Sequence, residues 1–412
     1  MSKIKVRNFG PIKTGYIPED GFLDIRKVTV FIGNQGSGKS TITKLISTLS
    51  WLEKALLRGE LKEKDITKSP RFIKRYCAYQ NIQSYFKDNT EIEYRGKAYS
   101  FIYKEGKLTI TTNKTNGYLV PKIMYVPAER NFVSSVDEPE KLKNLPKSLV
   151  TFLDEFLIAQ EKIKEGISLP INETTFEYDK LNRIANIKGS DYKLRLSESS
   201  SGFQSSVPLF LVSRSLAHLI GMKEADDANE RQESVEQVKR LRTEIRKIYE
   251  NEKLSDTLKK VAIEELSAKF TNACFINIVE EPEQNLYPSS QRNILNSLLE
   301  FVNLTKGNEL IVTTHSPYIV NYLTLSIMGS IVLKKINKLP NKEILRKKLN
   351  DIVPLASCVK SNECSLYELN DDGSIVELQK HDDLLSDDNF LNKILSDTNF
   401  LFDELIGLED SI

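Results

Sequence analysis

One eight-residue segment constrains the fold of this chain more than any other feature. Residues 33–40 read Gly-Asn-Gln-Gly-Ser-Gly-Lys-Ser and fit the pattern GxxxxGK[ST] without a mismatch. They follow an apolar, β-branched run over residues 28–32 and precede apolar residues at helical spacing over residues 41–57. A strand, a glycine-rich loop and a helix in this order predict a phosphate-binding loop, because backbone N–H groups and the helix N-terminus converge on an anion. A glycine-rich turn without a ligand is the weaker alternative.

The loop also predicts which groups hold a nucleotide. We expect Lys39 to reach the β- and γ-phosphates and Ser40 to ligate Mg²⁺. The residues predicted to bind ATP here are Gly33, Asn34, Gln35, Gly36, Ser37, Gly38, Lys39, Ser40 and Thr41.

A cluster of carboxylates follows a second buried strand. The apolar run 275–279 leads directly into Glu280-Glu281-Pro282-Glu283. Because the carboxyl end of a strand in an open α/β sheet faces the ligand crevice, we expect Glu280 to hold Mg²⁺ through water and Glu281 to orient or deprotonate the attacking water. Aspartate is the commoner residue on the metal side, so the longer Glu280 predicts slow hydrolysis. A surface acidic turn is the alternative, which the phosphate loop disfavours.

Weaker signals complete the candidate site. A serine-rich segment precedes an apolar helical run, and small hydroxyl residues with a glycine at a helix N-terminus form an anion site; the candidates are Ser200, Ser201 and Gly202. His315 follows the predicted strand 309–313, where it would contact a γ-phosphate. Taken alone, the serines are typical of a flexible loop or cap, and the histidine of a structural role. Residues 125–130, Tyr-Val-Pro-Ala-Glu-Arg, are a further candidate, with a plain strand exit as an equal alternative.

The composition excludes several classes of protein. The 412 residues carry 58 Lys and Arg against 57 Asp and Glu, a formal net charge of +1, unlike a wholly basic nucleic-acid coat or an acidic disordered protein. The longest apolar runs are too short to span a bilayer, and the N-terminus lacks the apolar core of a signal peptide. The four cysteines form no CxxC pair and predict ordinary thiols. We therefore expect a reduced, cytoplasmic protein without a membrane partner.

The order of the motifs resembles that of the ATP-binding-cassette (ABC) ATPases. The branch it resembles most contains the structural-maintenance-of-chromosomes (SMC), RecF-like and overcoming-lysogenization-defect ATPases, over residues 1 to about 325. EEPEQNLYP at residues 280–288 is similar to the family's DEPExxLxP, SSGFQ at 200–204 to its SSGxQ signature, and VRNFGPI at 6–12 to its opening. Glu280 and Ser201 depart from the family's aspartate and first signature glycine.

The resemblance implies a fold and a mode of assembly. The fold is α/β: an ABC-type P-loop ATPase head with an antiparallel β lobe, a mixed core sheet and a short inserted helical coiled-coil hairpin. ATP would lie in a sandwich between the phosphate loop of one subunit and the signature Ser200–Gly202 of another. Because the chain has one phosphate loop and one signature, two copies are required. Glu281 and His315 would be catalytic in cis, and the cofactors would be ATP and Mg²⁺.

The predicted domains follow from composition and from the resemblance. Residues 226–270 are rich in Glu, Lys, Arg and Gln, with apolar residues at spacings of 3, 3, 4 and 3 from Val235 to Ile248. This pattern predicts a coiled-coil hairpin, with one long surface helix and a loop as the alternative. Residues 1–225 and 271–330 would form the two parts of the head, and residues 331–412 a C-terminal subdomain with an acidic tail.

The resemblance also ranks the possible functions. The hairpin is too short for a chromosome-structuring arm, and no nuclease motif is evident after His315. The chain is therefore similar to stand-alone ATPases of bacterial antiphage systems, which hold a separate effector, such as a Toprim-type nuclease or a toxin, until a phage trigger is sensed. One alternative is a DNA repair or DNA-end-binding ATPase, for which the short basic stretch 334–348 is weak support. Another is a nucleotide-locked scaffold with little turnover. A transporter ATPase is disfavoured by EEPEQNLYP and by the helical insertion.

Overall fold

The computed structural model describes residues 1–113, 117–221, 243–250, 255, 258–260, 262, 263, 266, 271–340, 342–386 and 388–409. The hairpin predicted for residues 226–270 lies almost wholly outside these residues. Within it, residues 243–249 are helical.

The described strands occur in several consecutive groups that are separated by helices. The strands are β1 Ser2–Phe9, β2 Gly15–Tyr16, β3 Leu23–Ile25, β4 Val28–Gly33, β5 Phe86–Arg95, β6 Tyr99–Lys104, β7 Lys107–Thr112, β8 Pro121–Val126, β9 Ile167–Ser168, β10 Thr175–Asp179, β11 Ile184–Lys188, β12 Lys193–Arg195, β13 Cys274–Glu280, β14 Glu309–Thr314, β15 Cys364–Leu369, β16 Ser374–Glu377, β17 Lys380–His381 and β18 Leu384–Leu385. The helices are α1 Lys39–Leu57, α2 Glu63–Thr67, α3 Lys147–Glu161, α4 Ser201–Gly221, α5 Pro288–Asn303, α6 Pro317–Ile336, α7 Lys342–Ile352 and α8 Phe390–Glu409.

A seven-stranded mixed sheet forms the core, in the order β2-β16-β15-β4-β14-β13-β8. All neighbours in it are parallel except β15 and β16. Strands β4 and β13 are buried along their whole length, as expected for parallel strands covered on both faces. Successive residues of β4 face opposite sides: Val30 and Ile32 pack with α4, α5 and α6, whereas Phe31 packs with α1 and the N-terminal strands.

Three antiparallel sheets lie outside the core sheet, the smallest being the pair β17-β18. The five-stranded sheet β3-β1-β5-β6-β7 is the expected antiparallel lobe, and its register is set by hairpins such as the one joining Lys104 and Lys107. The second sheet has the order β12-β11-β10-β9. The predicted fold class is therefore confirmed in its α/β core, its mixed sheet and its antiparallel lobe.

The C-terminal segment contributes to the core sheet. Strands β15 and β16 lie within residues 331–412, which we predicted to form a subdomain of their own. Instead, β15 pairs in parallel with β4, from Cys364 opposite Val28 to Leu369 opposite Gly33. The sequence did not reveal this pairing because the partner strand lies more than 300 residues away. The predicted domain boundaries themselves stay predictions.

Helix α6 is the one described helix that is long and apolar enough, by length and composition, to cross a membrane. Its mean hydropathy is 1.4, and 39% of the apolar window is buried inside the protein. Ile319, Val320, Leu323 and Ile327 lie in the main apolar cluster. A core helix of this kind passes the same length and composition test, so α6 alone is weak evidence for a membrane.

The carboxyl ends of β8, β13, β14, β4 and β15 meet at one edge of the sheet, because these strands are parallel. The predicted phosphate loop, the acidic segment after β13 and His315 all begin at this edge. The topology therefore brings together segments that are as much as 280 residues apart in the chain.

Candidate nucleotide-binding site

The phosphate loop adopts a conformation that requires glycine. Gly33, Gly36 and Gly38 have φ values of 143°, 79° and 107°, a region that side chains disfavour. A Cβ atom on Gly33 would lie 2.4 Å from the carbonyl oxygen of Leu369 on β15. Gly38 is the N-cap of α1, so the loop ends at a helix N-terminus, as the sequence pattern predicts.

Lys39 lies under this loop and is 5% exposed. Its ammonium donates hydrogen bonds of 2.8 Å to the carbonyl oxygens of Gly33 and Asn34. Burial lowers the pKa of Lys39 to about 8, against the opposing effect of Glu281, Glu283 and Glu280. The ammonium is therefore held at the loop beside three carboxylates, where an anionic ligand would stabilise its charge.

His315 lies between the lysine and the predicted base. Its Nδ1 is 3.4 Å from Nζ of Lys39, and its Nε2 is 3.4 Å from Oε1 of Glu281. The contact with His315 lowers the pKa of Glu281, against the opposing effect of burial. Glu281 is thus ionised at neutral pH and able to accept a proton.

The backbone of Glu281 is held in a strained conformation. Its φ is +44°, and its N–H donates to the carbonyl oxygen of Thr313 at 2.9 Å. Left-handed conformations of non-glycine residues are uncommon and concentrate at functional sites. In this conformation the Glu281 carboxylate contacts His315.

The chain also offers a fitting position for Mg²⁺. Glu280 is 4% exposed; its Oε2 accepts a hydrogen bond from the N–H of Ala128, whereas its Oε1 is buried without a hydrogen-bond partner in the described chain. Ser40 follows Lys39 in the first turn of α1. A free carboxylate oxygen and a hydroxyl are the donor types that suit Mg²⁺. Among the described residues, no cluster of three or more His, Cys, Asp or Glu forms an all-protein metal site.

Glu283 holds the strand end that carries His315. Its Oε1 accepts hydrogen bonds of 2.7 Å from the hydroxyl of Thr314 and from the backbone N–H of His315. Burial raises the pKa of Glu283 above its ordinary value. This residue therefore positions His315 through its backbone, a role that the sequence pattern did not assign.

Arg130 connects the acidic segment with the helix after the signature. It is fully buried, and its guanidinium donates hydrogen bonds of 2.6 Å to the carbonyl oxygens of both Glu280 and Glu281. Its Nε donates to the carbonyl oxygen of Ser205 in α4 at 3.1 Å. Burial lowers the pKa of Arg130 to about 10, against the opposing effect of four carboxylates, those of Glu283, Glu281, Glu280 and Glu129. Within the candidate segment 125–130, Arg130 thus contacts the acidic strand end, and a role of the segment in a nucleotide site stays a prediction.

The signature segment lies at the N-terminus of α4. Ser200 and Ser201 are exposed, and Gly202 packs so tightly that a Cβ atom there would lie 2.8 Å from the carbonyl oxygen of Asn285. Gln204 donates to the carbonyl oxygens of Ser197 and Ser199, which orders the turn. Within the described residues, no hydrogen bond joins this segment to the phosphate loop of the same chain.

The structure thus divides the predicted site into two parts. Lys39, Glu280, Glu281 and His315 come together at one edge of the sheet, as the motif order indicated. The signature residues face outward at a different place. The sequence assigned no role to Glu283, and it offered the segment 125–130, which contains Arg130, only beside the equal alternative of a plain strand exit. All these assignments to ATP and Mg²⁺ stay predictions.

Part of the chain matches a known protein family. Residues 274–321, which span β13 to the start of α6, match the family described as "AAA domain, putative AbiEii toxin, Type IV TA system". No curated protein sequence matches the chain.

Several solved structures are similar in fold at low identity. The SMC head domain from Thermotoga maritima is 12% identical, with 78% of this chain and 90% of that chain covered and a TM-score of 0.34. An ATP-binding cassette in a dimeric post-hydrolysis state, bound to ADP and phosphate, is 12% identical. The match covers 92% of this chain and 100% of that chain, with a TM-score of 0.30. An Smc head domain from Pyrococcus furiosus, bound to the C-terminal domain of ScpA, is 10% identical. The match covers 98% of this chain and 100% of that chain, with a TM-score of 0.34.

These TM-scores are low, so the fold class follows from the strand order and not from the likeness. The chain has a P-loop at the carboxyl edge of a mixed parallel sheet, an antiparallel β lobe and an acidic strand end beside the loop. This arrangement is similar to the heads of ABC-type and SMC-type ATPases.

Proposed function

We propose that the chain binds and hydrolyses ATP at the edge formed by the phosphate loop, Glu280, Glu281 and His315. The observation that carries the proposal is the continuous contact from Lys39 through His315 to Glu281, with 3.4 Å at each step. This contact supports the proposal because the Lys39 ammonium and the Glu281 carboxylate lie on either side of one histidine. A γ-phosphate on the loop would lie within reach of all three side chains.

Five side chains of the chain have a role in the proposed reaction. Lys39 stabilises negative charge that develops on the phosphoryl oxygens. Glu281 accepts the proton of the attacking water, and His315 holds the Glu281 carboxylate in position and contacts the phosphoryl group. Mg²⁺, held by Ser40 and through water by Glu280, would neutralise charge on the β- and γ-phosphates when bound. The longer Glu280 side chain supports slow turnover.

The test of this site is the substitution Lys39→Ala. Loss of the buried ammonium leaves the phosphates' charge uncompensated, so ATP affinity falls by about 100-fold or more. Equilibrium binding of a fluorescent ATP analogue measures the change, and Lys44→Ala, on the same helix, serves as the matched control. Equal affinity in Lys39→Ala and Lys44→Ala would show that the nucleotide binds elsewhere.

We further propose that two copies of the chain enclose two ATP molecules. The exposed Ser200 and Ser201 support this arrangement, since they present an anion-binding helix N-terminus that is not joined to the phosphate loop of their own chain. A single chain would supply the phosphate loop of one nucleotide site and the signature of another, so neither site would be complete. The oligomer is a homodimer or a larger assembly of such pairs, in the cytoplasm.

The finer proposal is a role in antiphage defence. Two features support it: the AbiEii-associated family matched by residues 274–321, and the resemblance to stand-alone defence ATPases such as AriA of the PARIS system or those of Septu systems. The described C-terminal helix α8 exposes a set of large apolar side chains, and such surfaces are common where proteins bind partners; they are Ile394, Phe400, Leu401, Phe402, Leu405, Ile406 and Leu408. The partner would be a nuclease or toxin held until a phage trigger is sensed.

Affinity purification of Glu281→Gln from the native host tests the defence role. The slowed variant keeps the ATP-bound assembly intact, so a nuclease or toxin is expected in stoichiometric amount by mass spectrometry. Recovery of nucleic acid with repair factors instead would contradict the defence role and favour a DNA-processing ATPase.

A further inference from the structure

A second pocket lies at the far end of α1 from the phosphate loop. It has a volume of about 490 Å³ and is bounded by α1, the short helical turns 72–80, β8 and α3. We name it the aromatic–basic pocket and define it by Trp51, Lys54, Tyr76, Tyr79, Gln80 and Lys122. Lys39 and Lys54 are 15 residues apart on one helix, which corresponds to about 22 Å along its axis. The lysines of the two sites are therefore far apart, although Tyr125, the first residue of the segment 125–130, also lines this pocket.

The charged side chains that line the described pocket are all basic. Lys54, Arg75, Lys122 and Lys147 line it, and no carboxylate does so among the residues that the structure describes. Lys122 forms an ion pair with Glu155, which itself does not line the pocket. The remaining cations give the cavity a positive potential that favours an anionic ligand.

Lys54 is the most unusual of these cations. It is 9% exposed, and within the described chain its ammonium makes no hydrogen bond or ion pair. Burial, with the charges of Arg58 and Lys122, lowers the pKa of Lys54 to about 7, against the effect of Glu60 and Cys274. A buried, unpaired ammonium costs stability. An anion in the pocket would remove that cost.

Gln80 supplies a free acceptor in the same cavity. It is 2% exposed, its Nε2 donates to the hydroxyl of Ser47 at 3.2 Å, and its Oε1 is buried without a partner in the described structure. Buried amide oxygens in native proteins are normally hydrogen-bonded. The Gln80 oxygen is thus available to a ligand N–H.

Aromatic rings form the remaining wall. The rings of Trp51 and Tyr76 lie 6.1 Å apart with 36° between their planes, and Tyr79 is fixed by a 2.5 Å hydrogen bond to Thr151. Trp51 is 41% exposed at the pocket mouth. Aromatic side chains with an open face stack on nucleobases, and each such contact contributes about 1–3 kcal/mol to base binding.

We propose that the aromatic–basic pocket binds a free nucleotide, a small phosphorylated molecule with a planar base. The base stacks on the rings at the mouth and donates an N–H to Gln80, while the phosphate pairs with Lys54. The cavity volume falls within the range of small-ligand sites, about 300–1,000 Å³. This site is distinct from the proposed ATPase site and does not depend on it.

The experiment uses the full chain with Lys39→Ala, the substitution that is expected to weaken nucleotide binding at the phosphate loop by about 100-fold or more. Trp51 is the only tryptophan of the chain, so its fluorescence reports on this pocket alone. The probes are AMP, GMP and UMP, with adenosine, inorganic phosphate and hexathymidylate for comparison. We expect saturable one-to-one quenching by a nucleoside monophosphate, and binding about tenfold weaker for the nucleoside.

Two substitutions distinguish the pocket from nonspecific binding. Lys54→Met, close in shape and uncharged, lowers the affinity by about tenfold or more, whereas Lys74→Met, an exposed lysine outside the pocket, leaves it unchanged. If Lys54→Met does not fold, the exposed pair Arg75→Ala and Lys147→Ala is expected to give the same direction of change.

Several results would overturn the proposal. They are the absence of saturable quenching by any mononucleotide, equal affinities in Lys54→Met and Lys74→Met, or tighter and strongly salt-dependent binding of hexathymidylate, which would indicate a path for single-stranded nucleic acid. Because these measurements use the Lys39→Ala chain, they leave the ATPase proposal unaffected.

Discussion

His315 lies between the two charged groups of the proposed ATPase site, the Lys39 ammonium and the Glu281 carboxylate. It contacts the Lys39 ammonium and the Glu281 carboxylate, while Glu283 fixes its backbone N–H. A loop histidine at a strand end is ambiguous in sequence, because a structural role gives the same pattern. In the fold, both ring nitrogens of His315 face residues of the candidate site, which supports the proposed catalytic role.

His315→Ala is therefore expected to lower the hydrolysis rate by about 100-fold and to leave ATP affinity nearly unchanged. The reason is that Lys39 and the loop N–H groups still bind the phosphates, whereas Glu281 loses its positioning contact. Phosphate release measures the rate, and His381→Ala, on an exposed β17 residue, is the control. Normal hydrolysis in His315→Ala would remove the histidine from the mechanism.

Lys54 predicts an unusual dependence of stability on pH. Burial lowers its folded-state pKa to about 7, whereas the unfolded chain keeps an ordinary value near 10.4. Between these values the unfolded state binds more protons, so the contribution of Lys54 to stability rises as pH increases from about 7 to about 10. Lys54→Met should therefore be more stable than the wild type at pH ~6, by a few kcal/mol at most.

Urea unfolding at about pH 6 and pH 9 measures this difference. The stability gained on substitution should be large at the lower pH and should shrink at the higher one. A Lys54→Met chain that is less stable than the wild type at low pH would show that the ammonium is paired and not merely buried.

At the scale of elements, the strand–loop–helix unit was predictable because its signal is local. The apolar run, the glycines and the helical spacing stand next to one another, and β4 and α1 are found where expected. The contacts of Arg130 were not predictable, since Ser205, Glu280 and Glu281 lie 75 to 151 residues away. The position of β15 beside β4 was not predictable either, because the two strands are also far apart in the sequence.

The junction between α4 and the loop after β13 depends on Gly202. A Cβ atom there would meet the Asn285 carbonyl oxygen at 2.8 Å, and backbone is a rigid neighbour. Gly202→Ala is expected to displace the signature from this loop and to abolish ATP-dependent assembly, with only about 1–3 kcal/mol lost in stability.

Analytical ultracentrifugation with ATP measures that assembly, and thermal unfolding measures the stability of the same sample. Gly36→Ala is a poor control because it lies in the phosphate loop, so the matched substitution is Gly407→Ala, where a Cβ atom meets nothing within 4 Å. Normal assembly of Gly202→Ala would show that the signature turn is not held by this contact.

At the scale of the whole molecule, the site is divided between two surfaces. The phosphate loop, Glu281 and His315 share one edge of the core sheet, whereas Ser200 and Ser201 face solvent at the start of α4. A net charge of +1 gives no general attraction to nucleic acid. This division is consistent with the proposed pairing of two copies of the chain, in which the signature of one copy would close over the nucleotide of the other.

The measurement that tests this account most directly is the mass of Glu281→Gln in solution, with and without ATP, by sedimentation. The account predicts that ATP at least doubles the mass, and that Ser200→Arg in the same background prevents this while ATP still binds, because the larger cation blocks the facing phosphate site. Ser190→Arg, on an exposed turn, should assemble normally. A mass that does not respond to ATP, or one that responds equally in Ser200→Arg, would contradict the ATP sandwich.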